Sequence, residues 1–261
     1  MVESIITEVE HSIGMLTLNK AERHNACDAA MVGEMTAGLR ELDADPQVRV
    51  VVLSSSGNTF CAGADPKAMN RALSTSADEA SCEAHELALL MRTLNELGKP
   101  TIARVQGPAY GIGVGLIAAC DIAVASYDAW FRLNEVKLGA VPAVISPYLL
   151  AAIGARYCRR YLLSGERLSA PEAYRIGLVH EIVPDDEQLD QAIGEIIDNL
   201  LKNGPRAQAE CKALMRLVSG QPIDTTTIDE TVLCSTRVRL GAEGQEGLDA
   251  FFEKRKPNWR T

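Results

Sequence analysis

Apolar and polar positions alternate near the start of the chain, and this alternation predicts β-strands. Residues 5–10 and 15–18 follow the two-residue period of a strand, and residues 11–14 supply a turn between them. Farther along, the apolar run at 48–53 ends at the polar segment 54–58, a pattern typical of a buried strand followed by a loop. The first part of the chain is therefore predicted to form a sheet.

Apolar residues at helical spacing predict a helix between the second and third of these strands. Asp28 can cap its start, and Met31 and Met35 then share one face of a helix that ends near Leu42. Residues 66–77 follow neither period and are predicted to be irregular. Further strands are predicted at 101–105, 122–125 and 178–183. Further helices are predicted at 79–97, 114–119, 145–153, 155–163, 171–176, 189–201, 206–218, 224–240 and 244–255.

The order of these elements predicts an α/β fold with a helical tail. Strands and helices alternate over most of the chain, whereas the last part is wholly helical by period. No low-complexity segment separates the two parts. We therefore expect a body at 1–202 that carries the functional site and a helical region at 203–261 that mediates oligomerisation.

Composition narrows the class of protein. Of the 261 residues, 47% are hydrophobic and 23% charged, as in an ordinary soluble protein with a sizeable core. The net charge of −9 disfavours a nucleic-acid partner. No apolar run reaches membrane-span length and the start lacks a signal-peptide pattern, so we expect a cytoplasmic protein without a membrane partner. Seven cysteines without a CxxC pair and four histidines without an HExxH pair predict neither a disulfide framework nor a metal site.

The first motif with chemical potential is the segment 60–65, which reads FCAGAD and follows the buried strand. Its small side chains let a ligand approach the backbone, and Gly63 can adopt a positive φ angle. A backbone N–H freed at such a turn can donate to an oxygen atom of a bound ligand. Taken alone, the motif fits equally a tight loop packed with small side chains.

The second motif is the glycine-rich segment 107–115, between a strand and a short helix. A dinucleotide fingerprint that starts at Gly111 needs a glycine at position 116, where Leu116 stands, and no Gly-Lys-Ser/Thr follows to make a P-loop. The remaining interpretation is a helix N-terminus whose free N–H groups suit a developing negative charge. Close packing of the helix on the sheet is a compatible alternative.

The third motif places one carboxyl group in apolar surroundings. Glu135 lies in the stretch 132–139, which is followed by the apolar run 140–145. Desolvation there would raise its pKa and suit it to acid or base chemistry. The alternative from the residues alone is a surface glutamate beside Lys137.

Together these motifs resemble those of the enoyl-CoA hydratase/isomerase (crotonase) family. The segments 60–65, 107–121 and 133–139 match the family's motifs in order and at similar spacings. Residues 19–26 resemble its coenzyme-A-contacting N-terminal segment. Later segments at 170–179 and 246–257 resemble further signatures, so the resemblance covers nearly the whole chain.

The resemblance implies a fold and an assembly. It implies an α/β spiral of ββα units with a helical C-terminal trimerisation region, in a homotrimer or a hexamer. Two backbone amides, at Ala64 and at Ile112, are expected to hold the thioester oxygen, and many relatives have glycine at the second position. Of the two glutamates of the hydratases, the first falls on Gly115 and is absent, whereas the second falls on Glu135.

Beyond these catalytic positions, the resemblance implies a set of residues in contact with the acyl-CoA. No metal or redox cofactor is implied, because coenzyme A arrives as the thioester of the substrate. The expected substrate-binding residues are Lys20, Arg23, Ala26, Ala62, Asp65, Pro66, Lys67, Gly111, Gly115, Leu138, Gly139 and Lys254.

Three functions are compatible with this pattern. The stretch 133–148 is similar to bacterial hydratases of branched or carboxylated enoyl-CoAs of the methylglutaconyl-CoA type, which favours hydration of the 2,3 double bond. The tripeptide 133–135 resembles instead the Δ3,Δ2-enoyl-CoA isomerases, in which one glutamate shuttles a proton. The third alternative is a non-catalytic acyl-CoA-binding protein, which the retention of Glu135 disfavours.

Overall fold

The computed structural model describes residues 3–71 and 74–260, and none of the helices in these ranges is both long and apolar enough to cross a membrane. The strands are β1 (Ile5–Glu10), β2 (Ile13–Leu18), β3 (Val50–Ser55), β4 (Thr101–Val105), β5 (Ala109–Tyr110), β6 (Ile122–Ser126), β7 (Trp130–Arg132), β8 (Arg167–Ser169) and β9 (Glu181–Val183). The α-helices are α1 (Ala29–Ala44), α2 (Pro66–Arg71), α3 (Ala77–Glu96), α4 (Ile112–Ala119), α5 (Ser146–Ser164), α6 (Ala170–Ile176), α7 (Asp186–Leu201), α8 (Pro205–Val218), α9 (Thr225–Leu240) and α10 (Ala242–Phe252).

The parallel strands of the larger sheet determine where the first two motifs lie. Its strand order is β1-β2-β3-β4-β6-β9, with β1 and β2 antiparallel and the other neighbours parallel. The carboxyl ends of β3 and β4 therefore meet at one edge. The segment 60–65 follows β3 and the glycine segment 107–111 follows β4, so the sheet brings the first two motifs together.

Both faces of this sheet are covered, which explains the continuous apolar run of β3. Val50 and Val52 belong to a cluster with Leu189 of α7, whereas Val51 and Leu53 point into the main core on the other face. Because successive side chains of a strand point to opposite faces, a strand between two cores is apolar throughout.

The second sheet links the glycine segment to the third motif. Strand β5 is parallel to β7, which is antiparallel to β8, and Ala109 also forms a bridge with Cys61. These strands have two or three residues each, too few to show a period, so the sequence pattern does not predict them. The sheet holds 60–65, 107–111 and 130–132 side by side.

The prediction of an irregular segment at 66–77 is wrong for residues 66–71, whereas residues 74–76 belong to no helix or strand. Residues 66–71 form α2 and α3 begins at Ala77, while residues 72 and 73 lie outside the described part of the chain. Helix α2 is short and begins with Pro66, a residue suited to the first position of a helix. Its start is fixed by the side chain of Asp65, which accepts hydrogen bonds from the backbone of Lys67 (2.7 Å) and Ala68 (3.3 Å).

Other bounds shift by smaller amounts. The helices predicted at 145–153 and 155–163 are the two halves of α5, which is interrupted at Gly154 with a φ of 71°. The strand predicted at 178–183 is limited to its last three residues, because the backbone of Leu178 and Val179 is hydrogen-bonded to Ala173 in the preceding helix.

The helical tail contacts the sheet at the amino ends of its parallel strands, which is the edge opposite the motifs. Arg49, just before β3, donates to Asn203 O at 2.7 Å, and Lys212 of α8 is paired with Asp121 at 2.5 Å. The two helices α9 and α10 bury only Ala250 within the single chain. Large apolar side chains of this region are exposed, among them Ile223, Leu233, Leu240, Phe251 and Phe252.

Candidate active site

The amide of Ala64 is turned outward by a short backbone bridge. Cys27 N–H donates to Gly63 O (2.7 Å), and Asp65 N–H donates to Cys27 O (2.8 Å). In a parallel bridge of this kind, the residue between the two bonded neighbours directs its own N–H to the other side. Ala64 is exposed there, so its N–H is available to a ligand.

Asp65 fixes this loop. Its side chain is 4% exposed, caps α2 through Oδ1 and accepts from Arg23 Nη1 at 3.2 Å through Oδ2. With these contacts the carboxylate is engaged within the protein, next to the Ala64 amide. Asp65 therefore serves as a positioning residue for that amide.

The amide of Ile112 lies at the N-terminus of α4, where a helix leaves its first N–H groups without an intrahelical partner. The preceding Gly111 has φ 44° and ψ −108°, a conformation that favours glycine, and donates to Arg132 O at 3.0 Å. A side chain at Gly111 would also overlap Glu135 Oε1. The glycine is thus required by both its backbone and its neighbour.

Glu135 places a carboxyl group against this helix terminus. It is the first residue of the 3₁₀ helix Glu135–Leu138, which Gly139 ends with a φ of 73°. Its Oε2 is buried and has no hydrogen-bond partner within the described ranges, while Oε1 lies over Gly111. Burial raises the pKa of the Glu135 carboxyl above its usual range. Such a group, beside a free helix amide, is suited to take and return protons.

Gly115 has no room for a side chain. A Cβ atom there would overlap Ile145 Cγ2 and lie 2.8 Å from Ile145 Cβ, and Ile145 is 3% exposed. Residues 111 and 115 are one turn apart on the same face of α4. Ile145 therefore covers the face of α4 at position 115, one turn beyond the contact of Glu135 with Gly111. In the hydratases that the sequence resembles, the first glutamate falls at this position.

A cavity of about 450 Å³ adjoins the two amides. Ala64 and Ile112 lie in its lining, together with the apolar side chains of Val32, Leu87 and Val144. Its volume lies within the usual range of small-molecule sites, and most of its lining is apolar. Glu135 borders Gly111 just beyond this lining.

The basic residues predicted to meet coenzyme A are distributed over two edges of the sheet. Lys20 is paired with Asp28 at 3.0 Å, and Arg23 and Lys67 are exposed beside the loop of Asp65. Lys254 lies in the tail shortly before Trp259, whose carbonyl accepts from Arg49 Nη1 (3.4 Å) at the opposite edge, and it is not part of the cavity lining.

The remaining predicted residues surround the Ala64 loop or the Glu135 turn. Ala26 is buried beside Cys27, and Ala62 N–H donates to His24 O at 2.9 Å. Pro66 opens α2, and Leu138, at the end of the 3₁₀ helix, is 61% exposed.

Sequence reasoning missed two residues that shape the site. Asn25 is fully buried; its side chain accepts from Lys20 N and donates to the carbonyls of Ser56 and Thr59, both at 2.8 Å. It thereby joins the N-terminal segment to the loop before Phe60. The other is Ile145, whose role depends on a contact with Gly115 that no sequence pattern indicates.

Comparisons with known proteins find relatives along nearly the whole chain. The sequence profile of the enoyl-CoA hydratase/isomerase family matches residues 8–261. An enoyl-CoA hydratase structure from Shewanella pealeana is 40% identical with a TM-score of 0.96, covering 98% of this chain and 96% of its own. Pseudomonas aeruginosa AtuE is 35% identical with a TM-score of 0.94, covering 99% and 100%. The mevalonyl-coenzyme A hydratase sidH of Aspergillus fumigatus is 34% identical, covering 94% of this chain and 90% of its own.

These matches extend over nearly the whole chain and over both sheets. They confirm the predicted α/β fold with its C-terminal helices, which the structure shows to contain two sheets. They also confirm the prediction of an enzyme of the enoyl-CoA hydratase class. The chain belongs to the enoyl-CoA hydratase/isomerase (crotonase) family.

Proposed function

We propose that the protein is an enoyl-CoA hydratase that adds water across the 2,3 double bond of a branched or carboxylated enoyl-CoA of the methylglutaconyl-CoA type. The observation that carries this proposal is the carboxyl group of Glu135, whose Oε1 lies over Gly111 just before the Ile112 amide and whose buried Oε2 has no partner among the described residues. A carboxyl group without a hydrogen-bond partner at such a site can accept a proton from the substrate or from water. The similarity to named hydratases supports the choice of hydration.

In this mechanism the amides of Ala64 and Ile112 hold the thioester oxygen and stabilise the negative charge that develops on it. The Glu135 carboxylate removes a proton from a water molecule, whose oxygen attacks C3. The resulting carboxylic acid returns the proton to C2 of the enolate. Because one group does both, the hydroxyl and the proton reach the double bond from the face that Glu135 occupies.

The Gly115–Ile145 contact favours a second candidate, the Δ3,Δ2-enoyl-CoA isomerase. Position 115 has no carboxyl group and no space for one, so Glu135 is the carboxyl group that the three motifs place against the start of α4, whereas Asp28, Glu83 and Glu86 line the cavity from the start of α1 and from α3. Moving a proton between C4 and C2 requires only one base, whereas hydration also requires an oriented water molecule.

Isotopes separate the two reactions. Hydration is expected to yield 3-hydroxyacyl-CoA whose new oxygen comes from oxygen-18-labelled water, with the highest turnover on a branched or carboxylated substrate. Isomerisation instead transfers or releases deuterium from C4 of a 3-enoyl-CoA and forms no hydroxyl group. Mass spectrometry of the products from both substrates decides the matter, and migration without hydration would replace the hydratase assignment.

Arg23→Ala is expected to weaken coenzyme A binding by roughly three- to tenfold, the scale of one partly exposed charge contact. The Arg23 side chain is 41% exposed beside the Ala64 loop and can reach an anionic ligand in a protein of net charge −9. The loss should be larger at low salt, because screening is weaker.

Titration calorimetry at two salt concentrations measures this effect. Arg160→Ala is the matched control, since Arg160 is paired with Glu166 at the surface outside the site. Arg23→Lys keeps the charge near Asp65 and should recover most of the affinity. Equal affinity of the Arg23→Ala and parent proteins at low salt would remove Arg23 from the binding site.

The protein is expected to form a trimer, or a pair of trimers, through its helical tail. The exposed side chains of Ile223, Phe251 and Phe252 leave a large apolar surface in the single chain, which association would cover. Light scattering at micromolar concentration should give three or six times the chain mass. Phe251→Ser combined with Phe252→Ser should shift this mass downward. A stable monomer of the parent protein would contradict the assignment.

A further inference from the structure

Two buried cysteines meet beneath the candidate oxyanion site. Cys27 and Cys61 come from different segments, and their Sγ atoms are 3.6 Å apart. Their side chains belong to residues that are 3% and 0% exposed. The mechanism above uses neither thiol.

The pair is connected to both amide donors. The backbone of Cys27 bonds to Gly63 and Asp65, on either side of Ala64. Cys61 Sγ accepts from Gly63 N–H at 3.4 Å, and its Cβ lies 2.7 Å from the position a Cβ would take at Gly113, the residue after the second donor. A movement of the two sulfur atoms is therefore transmitted to both halves of the oxyanion site.

The pair borders the cavity through Cys27. Cys27 lies in the lining of the 450 Å³ cavity, so a small molecule that enters the acyl site meets it. The hydrogen bond from Cys27, together with that from Gly63 N–H, lowers the pKa of the Cys61 thiol, whereas the same contact and burial raise the pKa of the Cys27 thiol. Burial also raises the pKa of the thiols of Cys120 and Cys158, so Cys61 is the thiol that loses its proton most readily among the buried cysteines of the described ranges.

We propose that Cys27 and Cys61 form a redox modification site, at which a hydroperoxide converts the two thiols to a disulfide and thereby disables the oxyanion site. One sulfur attacks the peroxide oxygen and becomes a sulfenic acid, with release of one water from hydrogen peroxide. The second sulfur then displaces the sulfenic hydroxyl as another water. The pair loses two protons and two electrons, and hydrogen peroxide is reduced to two water molecules.

Geometry connects this bond to activity. A disulfide has an S–S distance of about 2.05 Å, so the sulfur atoms must approach by about 1.6 Å from their present 3.6 Å. A misplacement of about 1 Å at a reacting centre can cost roughly a hundredfold in rate. Even if rotation of the side chains absorbs part of this movement, we expect at least a tenfold loss of turnover. This effect on activity rests on the proposed function.

The test uses the full-length, reduced protein treated with hydrogen peroxide. Peptide mass spectrometry should find Cys27 linked to Cys61, and enoyl-CoA turnover should fall at least tenfold and return with dithiothreitol. Butyryl-CoA, which fills the acyl site without an electrophilic double bond, should slow the linkage. The linkage is mapped by mass, so its absence would count against this proposal. Turnover is first measured on the reduced protein, so a failure of the hydratase assignment is seen before peroxide is added and is distinguishable from a failure of this proposal.

Variants identify the pair as the cause. Each of Cys27→Ser and Cys61→Ser should keep most of its own untreated turnover in peroxide, before any dithiothreitol is added, and should form no disulfide at this site. Cys82→Ser is the matched control, because Cys82 also lines the cavity but is exposed, and it should remain as sensitive as the parent. A linkage that leaves turnover unchanged, or a reversible loss that persists in both serine variants, would overturn the proposal.

Discussion

Glu135→Gln is expected to reduce enoyl-CoA turnover by about a hundred- to ten-thousandfold while leaving acyl-CoA binding nearly intact. The amide keeps the shape of the side chain but cannot carry the proton. Gly115 and the adjoining Ile145 offer no replacement, and the carboxylate of Asp65 is occupied by its cap and by Arg23. The loss should therefore appear in kcat rather than in the dissociation constant.

The same substitution should leave the folded protein as stable as before or more stable at neutral pH. Burial raises the pKa of Glu135 in the folded state above its unfolded value, so the carboxyl group destabilises the fold as pH rises through the folded pKa. Below the unfolded pKa this cost is absent. Thermal unfolding of the parent and Glu135→Gln proteins should accordingly converge at low pH and separate toward neutral pH.

The pH dependence of kcat/KM gives an independent check. A base with a raised pKa loses its charge at a higher pH than an ordinary glutamate, so the acid limb should lie above the usual glutamate range. Glu187→Gln, at the exposed start of α7, is the control and should leave the profile unchanged. Near-normal hydration and isomerisation by Glu135→Gln would mean that another group is the base.

The sequence predicted the parts of the molecule that have a period or a motif of their own. Strand β3 could be predicted from its apolar run, and the start of α1 from the capping residue Asp28. Each of these features depends only on neighbours within one segment. The choice of Glu135 as the candidate base followed from the resemblance of three motifs to those of the family, in order and in spacing. Its raised pKa follows from burial, which the apolar sequence around it indicated.

Contacts between distant segments could not be read in this way. Ile145 meets Gly115 because α5 begins against one face of α4, and this depends on how two helices pack. Cys27 and Cys61 are brought together by backbone bridges of one residue each, which have no periodicity. Helix α2 was missed because its six residues are too few for a helical pattern.

Removal of either oxyanion donor should cost about a hundredfold or more in turnover, the loss seen when one such donor is deleted. Ala64→Pro deletes the N–H that the Cys27 bridge turns outward. Ile112→Pro deletes the other and is the gentler change, because proline is well accepted at the first position of a helix. Gly111, which precedes it, lies outside the helical backbone region that a following proline disfavours.

The comparison of four variants separates the lost donor from a damaged loop. Ala64→Gly and Ile112→Ala retain the N–H at each position and should keep turnover within about tenfold of the parent, whereas both proline variants fall further. Circular dichroism and thermal unfolding verify the fold, and a bound acyl-CoA structure should place the thioester oxygen roughly 2.7–3.1 Å from both amides. If Ile112→Pro folds normally and turns over like Ile112→Ala, the helix terminus does not hold the oxygen. In that case the Ala64 amide would have to stabilise the enolate with a donor from elsewhere, and the position of Glu135 beside Gly111 would lose its mechanistic meaning.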